Sequence, residues 1–197
     1  EATGVKDVNL VGYCLGGTLL ACTLAHLAAK GDKRAKSATY FASLADFSNP
    51  GELGLFIDEE HISVIESQME KDGYLDGATM ATTFNSLRAN DLIWSFVVNN
   101  YLMGKEPLPF DLLYWNSDST RMPRAMHSFY LRQMYLENRL MQPGGISLLG
   151  TPIDLRQITT PTYIVSTKDD HIAPWKSTSS VTQLYGGSPR FVLGGSG

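Results

Sequence analysis

Cysteine is scarce in this chain: only Cys14 and Cys22 occur in 197 residues. Two cysteines so close together make no disulfide framework. Both fall on or beside one apparent helix, which favours a reducing cytoplasmic compartment. Positive charge is not in excess either. Sixteen lysines and arginines stand against 20 acidic residues, for a net charge of −4, so no basic surface argues for nucleic acid. No apolar run approaches the roughly 20 residues of a membrane span, and the N-terminus is not a signal peptide. No Walker-type or G-x-G-x-x-G loop is present to cradle phosphates. Cys14, Cys22 and His26 lack an evident fourth ligand, so neither a metal nor another cofactor is expected. No internal repeat or low-complexity segment occurs.

What is there suits one soluble domain with a real core: 43% hydrophobic and 18% charged residues. Asn9–Gly12 reads as a strand, its apolar Val8–Val11 run expected to be buried. Leu15–Ala29 reads as a helix rich in alanine and leucine, and Ala38–Ala42 as a second strand. That is a βαβ unit, the building block of a parallel sheet. The last third repeats the rhythm: "TYIVSTKDD" as a strand ending in acids, "APWKSTSSVTQLY" as a helix, "RFVL" as a strand. Between them lies an apolar helical block. "DEEHISVIESQMEKDG" opens with acids and ends at Gly73, "ANDLIWSFVVNNYLMG" ends at Gly104, and "PRAMHSFYLRQMYLENRLM" stops before "QPGG". The organisation expected is an α/β core, residues 1–57 and 142–197, carrying a helical cap over about 58–141. The chain has no initiating Met, opens almost on a strand and closes just after one, and so reads as an internal piece of a longer protein.

The stretch "VNLVGYCLGGTLLACTLAHLAA" carries the chemistry. Strand and helix follow with almost no loop, which puts Cys14 on a very tight turn. A nucleophile elbow has the form small-x-nucleophile-x-small on such a turn, because bulky residues two places away would clash. Gly12 and Gly16 occupy those two places, with Gly17 behind. The turn lifts the Cys14 side chain above the sheet and leaves the Leu15 N–H at a helix N-terminus, free for an oxyanion hole. The same terminus is expected to lower the thiol pKa. In α/β-hydrolases the order is nucleophile, acid, histidine, with the acid after a late strand. "IVSTKDDH" supplies Asp169 and Asp170 there. The base is the difficulty. His171 directly follows Asp170, His26 lies three turns along the elbow helix, and His61 and His127 fall in the cap. In this architecture the base follows the last strand, on a loop that would begin at "GGSG".

These residues resemble a known family. "GYCLGGT" is similar to the lipase-like box of polyhydroxyalkanoate synthases, where cysteine replaces serine, and "DDHIAPW" to their acid motif. "FSNPGELGLFIDEE" and "PFDLLYWNSDSTRMP…FYLRQMYLEN" resemble stretches of the class I enzymes. The resemblance implies an α/β-hydrolase fold, a mostly parallel sheet with a helical cap. It implies an acyltransferase that polymerises (R)-3-hydroxyacyl-CoA, 3-hydroxybutyryl-CoA above all, into a storage polyester through a cysteine thioester, releasing CoA. Cys14 then matches the nucleophile, Asp170 the catalytic acid, and His171 a neighbour of the active site. The tail "VLGGSG" resembles the stretch that the catalytic histidine follows, so the chain without that base is expected to be inactive by itself. A homodimer in the cytoplasm, at the surface of the polyester granule and its growing chain, is implied as well. The alternatives are a cysteine hydrolase of the same fold, acting as thioesterase or depolymerase, and a non-catalytic partner subunit.

Overall fold

The structure, a computed structural model, describes residues 4–87, 89–107, 112, 115, 118 and 120–195. It forms two compact units: Glu1–Asp58 with Tyr130–Gly197, and Glu59–Phe129. The helical insertion therefore ends at Phe129, where the sequence suggested about 141. Side-chain hydrogen bonds explain the difference. Asn138 donates from Nδ2 to Asp46 Oδ1 at 2.9 Å and accepts the Phe47 N–H at 2.9 Å. Leu140 behind it is buried. The stretch after Phe129 thus belongs to the sheet-bearing unit.

That unit carries strands β1 (Val8–Tyr13), β2 (Ala35–Phe41), β3 (Ser147–Leu148), β4 (Thr151–Pro152), β5 (Thr162–Thr167) and β6 (Arg190–Gly194). Four of them run parallel in one sheet, in the order β1-β2-β5-β6. Helix α1, Leu15–Ala29, joins β1 to β2 as the βαβ pattern requires. Its buried face carries Leu20, Ala21, Leu24 and Ala25 and rests against the turn Leu155–Gln157. Each fully buried leucine there contributes about 1.5–3 kcal/mol. The expected buried first strand is half right. Gly12 is buried, but Val8, Val11 and Tyr13 are exposed, because β1 is an edge of this sheet and covered incompletely. β3 and β4 form an antiparallel hairpin outside the main sheet. Its two turn residues, Leu149 and Gly150, both have positive φ, as a tight twisted hairpin turn demands. Leucine in place of the usual Asn hid that hairpin from sequence reasoning.

The helical unit contains α2, Glu59–Asp72, and α3, Gly77–Leu87. α2 buries Ile62 and Met69, two turns apart on one stripe. Gly73 (φ 77°) ends it, its N–H on the Met69 carbonyl. α3 was not expected, because threonines blur its periodicity. Its start is nonetheless marked: Asp76 Oδ1 accepts the Ala78 N–H at 2.8 Å, as an N-cap acid does. "ANDLIWSFVVNNYLMG" is helical with wide, i to i+5 turns over Asn90–Trp94 and Val97–Leu102. The third expected helix is split into Arg124–Phe129 and a π-turn segment, Tyr130–Leu136. Within the unit, the Arg124 N–H donates to Gly73 O at 2.7 Å and Arg121 lies 4.6 Å over the Tyr74 ring. Among the described residues no helix is long and apolar enough to cross a membrane.

Candidate active site

β1 runs into α1 without a loop, and Cys14 takes up the whole change of direction. Its N–H still donates to Phe41 O at 2.9 Å, extending the β1–β2 ladder. Its carbonyl already accepts the Gly17 N–H at 2.9 Å, closing the first helical turn. Serving both elements forces φ 51°, ψ −123°, a conformation costing a non-glycine residue about 1–3 kcal/mol. Such strain is held only where surroundings enforce it, and it projects the side chain outward: Cys14 is exposed.

The glycines that permit the turn are not the pair read from the sequence. A Cβ on Gly12 would lie 2.6 Å from Gly17 Cα, and one on Gly17 would lie 1.9 Å from Ser43 Oγ. A Cβ on Gly16 would meet nothing within 4 Å. Gly12 and Gly17 are thus required, and Gly16 is not. The spacing rule missed Gly17 because its crowding comes from Ser43 and from Tyr40 on β2, which are distant in sequence.

The Cys14 thiol is also not what the helix terminus suggested. Although the residue is exposed, the protein atoms packed round the sulfur partly desolvate it and raise its pKa above the ordinary thiol value, and the Asp170 carboxylate raises it further. The Leu15 N–H at the helix terminus opposes them without prevailing. Desolvation of the thiolate outweighs one backbone dipole. A raised pKa favours the thiol over the thiolate. Cys22 is a different case: buried on α1, its thiol is pushed to about 11.

Asp170 follows β5, so Cys14 and Asp170 both stand at the carboxyl ends of parallel strands, where open α/β sheets place their sites. Its Oδ1 accepts the N–H groups of Ile172 and Ala173, both at 2.9 Å, which fixes the carboxylate on the turn. Asp170 acts on Cys14 electrostatically. His171 is held through its backbone, its carbonyl accepting the Glu52 N–H at 3.1 Å. The other histidines lie elsewhere: His26 about 18 Å along α1 at 1.5 Å per residue, and His61 and His127 in the helical unit.

Two features escaped sequence reasoning. One is the Gly51–Phe56 turn beside the acid loop. Gly51 has φ 67°, and a Cβ there would lie 2.1 Å from His171 O; the Asn-Pro-Gly signal could have marked it. Gly51→Ala is expected to displace the Asp170–His171 turn and lower activity at least about tenfold, with Cys14 alkylation by iodoacetamide faster because the carboxylate that raises the thiol moves off. Steady-state kinetics beside alkylation rates check this. The other is an aromatic cluster. Phe47 packs on Tyr135 at 4.8 Å and edge-on to Tyr130 at 5.9 Å, with Tyr130 and Tyr135 5.2 Å apart. Both tyrosines lie within electrostatic reach of Cys14.

A family model described as alpha/beta hydrolase fold matches residues 1–197. The chain belongs to the α/β-hydrolase family. Among curated proteins, this α/β-hydrolase chain is 55% identical to the poly(3-hydroxyalkanoate) polymerase subunit PhaC of Rhizobium meliloti, over all of its own length and 32% of that protein. It is 43% identical to the subunit of the same name from Cupriavidus necator, over all of its own length and 34% of that protein. The chain therefore spans about a third of the length of these relatives. Among solved structures, a putative hydrolase from Agrobacterium vitis aligns at TM-score 0.51 and 14% identity, over 98% of this chain and 54% of that one. An epoxide hydrolase variant from Bacillus megaterium aligns at 0.51 and 16%, over 98% and 62%. These likenesses concern the fold alone.

Proposed function

We propose that this α/β-hydrolase chain is the catalytic part of a polyester synthase that polymerises (R)-3-hydroxyacyl-CoA, 3-hydroxybutyryl-CoA above all. The observation that carries the reading is a cysteine at a strained elbow within electrostatic reach of Asp170, in a chain that matches polyhydroxyalkanoate polymerases along its whole length. A thiol exchanges readily with a thioester. Cys14 Sγ attacks the acyl carbonyl as its proton passes to a base, proposed to be a histidine of the longer protein on the loop after β6. The Leu15 N–H serves the tetrahedral oxyanion. The C–S bond to CoA breaks, CoA leaves as its thiol with that proton, and the acyl group stays on Cys14. The 3-hydroxyl of a further monomer or chain end then attacks the acyl-cysteine. Asp170 assists that hydroxyl as it loses its proton, forming the ester and freeing the Cys14 thiol. A homodimer working in the cytoplasm at the granule surface belongs to the same proposal, as does a reaction needing no metal or cofactor.

The test uses the complete protein with 3-hydroxybutyryl-CoA, following CoA release and insoluble polyester together. Asp170→Asn is expected to cut polymer formation about 10²-fold or more, within the range for a general base, while a single burst of CoA release survives. Normal elongation by that variant would assign the hydroxyl step elsewhere. CoA release with only soluble acid from the unaltered protein would make it a thioesterase.

A further inference from the structure

The helix Trp175–Ser179, which follows the Asp170 loop, does not stand by propensity. Three of its five residues are serine or threonine, types that favour caps and turns over helix interiors, and so short a helix is unstable alone. Pro174 at its start offers no side-chain cap. Two of its hydroxyls supply what propensity does not. Ser177 Oγ donates to Asn49 O at 2.7 Å, in the loop after β2. Thr178 Oγ1 lies 2.5 Å from Ser166 Oγ on β5. Ser166 is 1% exposed and Thr178 0%. Neither can turn to water, and buried hydroxyls need a partner.

Proton counting gives the pair a direction. Thr178 gives its single hydroxyl proton to Trp175 O at 3.0 Å, so toward Ser166 it accepts and Ser166 donates. From Thr178 a short series of bonds leads to the acid. The Thr178 N–H donates to Pro174 O at 3.0 Å. The N–H of Ala173, the residue before, donates to Asp170 Oδ1 at 2.9 Å. At its other end the loop is tied by the Lys168 N–H on Gly194 O of β6, at 3.1 Å. The Asp170 turn thus hangs between two anchors, one on β6 and one, through Thr178, on β5. We propose that Ser166 and Thr178 are positioning residues for Asp170: their buried hydroxyl bond closes the loop between β5 and the helix after it, and so holds the carboxylate in place at the carboxyl end of the sheet. The inference rests on Asp170 being the acid of the proposed reaction; its test does not.

Asp170 acts on the Cys14 thiol through space, so alkylation of Cys14 by iodoacetamide reports the carboxylate's place without any acyl substrate. Failure of the polyester assay and failure of this inference therefore stay separate. The complete protein is labelled at neutral pH, with each cysteine resolved by mass spectrometry. Asp170→Asn removes the charge and sets the largest acceleration this route allows. Ser166→Ala removes the tether and leaves Thr178 its bond to Trp175. It is expected to label Cys14 about threefold faster, because a displaced carboxylate raises the thiol less. Thr178→Val is expected to do the same, and Thr178→Ser, which keeps the hydroxyl, to label at the parent rate. In the Asp170→Asn background Ser166→Ala should add nothing, since residues that act through one another are not additive. General loosening would speed labelling in both backgrounds. An unchanged or slower rate in Ser166→Ala, or the same acceleration with Asp170→Asn present, overturns the proposal. So does labelling of buried Cys22 in both Ser166→Ala and Thr178→Val, because a pair whose loss opens the fold is structural.

Discussion

CoA release by the complete protein is expected to fall at least about 10⁴-fold when Cys14 is replaced by alanine, since loss of a nucleophile removes the covalent route entirely. Neither Asp170 nor the Leu15 N–H can take its place: one is an acid held by backbone donors, the other has no electron pair to give. The fold should survive, because the Cys14 residue is exposed and alanine keeps the same backbone. A companion variant separates chemistry from strain. Cys14→Gly is equally inactive, yet glycine adopts φ 51° without the penalty a Cβ carries. It should melt about 3 °C above Cys14→Ala, the shift that ~1 kcal/mol produces in a domain of this size. Calorimetry of the two variants beside the CoA assay decides both points. Residual turnover within tenfold of the parent would remove Cys14 as the nucleophile.

The second large effect is steric. Gly17→Ala puts a methyl group 1.9 Å from Ser43 Oγ, 2.4 Å from Ser43 Cβ and 3.2 Å from Tyr40 Cδ1. Ser43 cannot simply rotate away, since its own Cβ is in the way and its Oγ donates to Phe41 O. The helix must lift off β2, an overpacking cost of about 3 kcal/mol or more. Cys14 would lose its pose along with the fold. Gly16→Ala, one residue earlier, meets open space and exchanges glycine for the best helix former, a gain of up to about 1 kcal/mol. The two should lie on opposite sides of the parent in thermal melting. If Gly16→Ala were the damaging one, crowding against Ser43 would not be what the glycines of the elbow relieve.

Much of the architecture was legible because it rests on local rules. The βαβ rhythm shows from Leu10 through Phe41 as apolar strands about an alanine-rich helix, and from Tyr163 through Leu193 as two strands about a short polar helical stretch. The elbow shows because a strand, a cysteine among glycines and a helix leave no room for a loop. Other parts were hidden for identifiable reasons. α3 carries threonines where a stripe of leucines would have announced it. The hairpin at Leu149 uses a residue that rarely takes positive φ. The proline-glycine pair in "QPGG" is the strongest punctuation near the end of the cap, whereas Asn138 sets the boundary through bonds to residues some 90 positions away.

By itself the sequence determined that Cys14 sits on a strained strand-to-helix turn, that an acid follows a late strand, and that a helical block interrupts an α/β core. Each follows from neighbours within a few residues. Only the tertiary structure decided which glycine the elbow requires, that the thiol pKa is pushed up rather than down, and that two tyrosines come within electrostatic reach of the sulfur. Those depend on atoms from β2, from the loop after β5 and from a widened helical turn. Steric contact and desolvation act through space, over distances the chain covers only once it is folded.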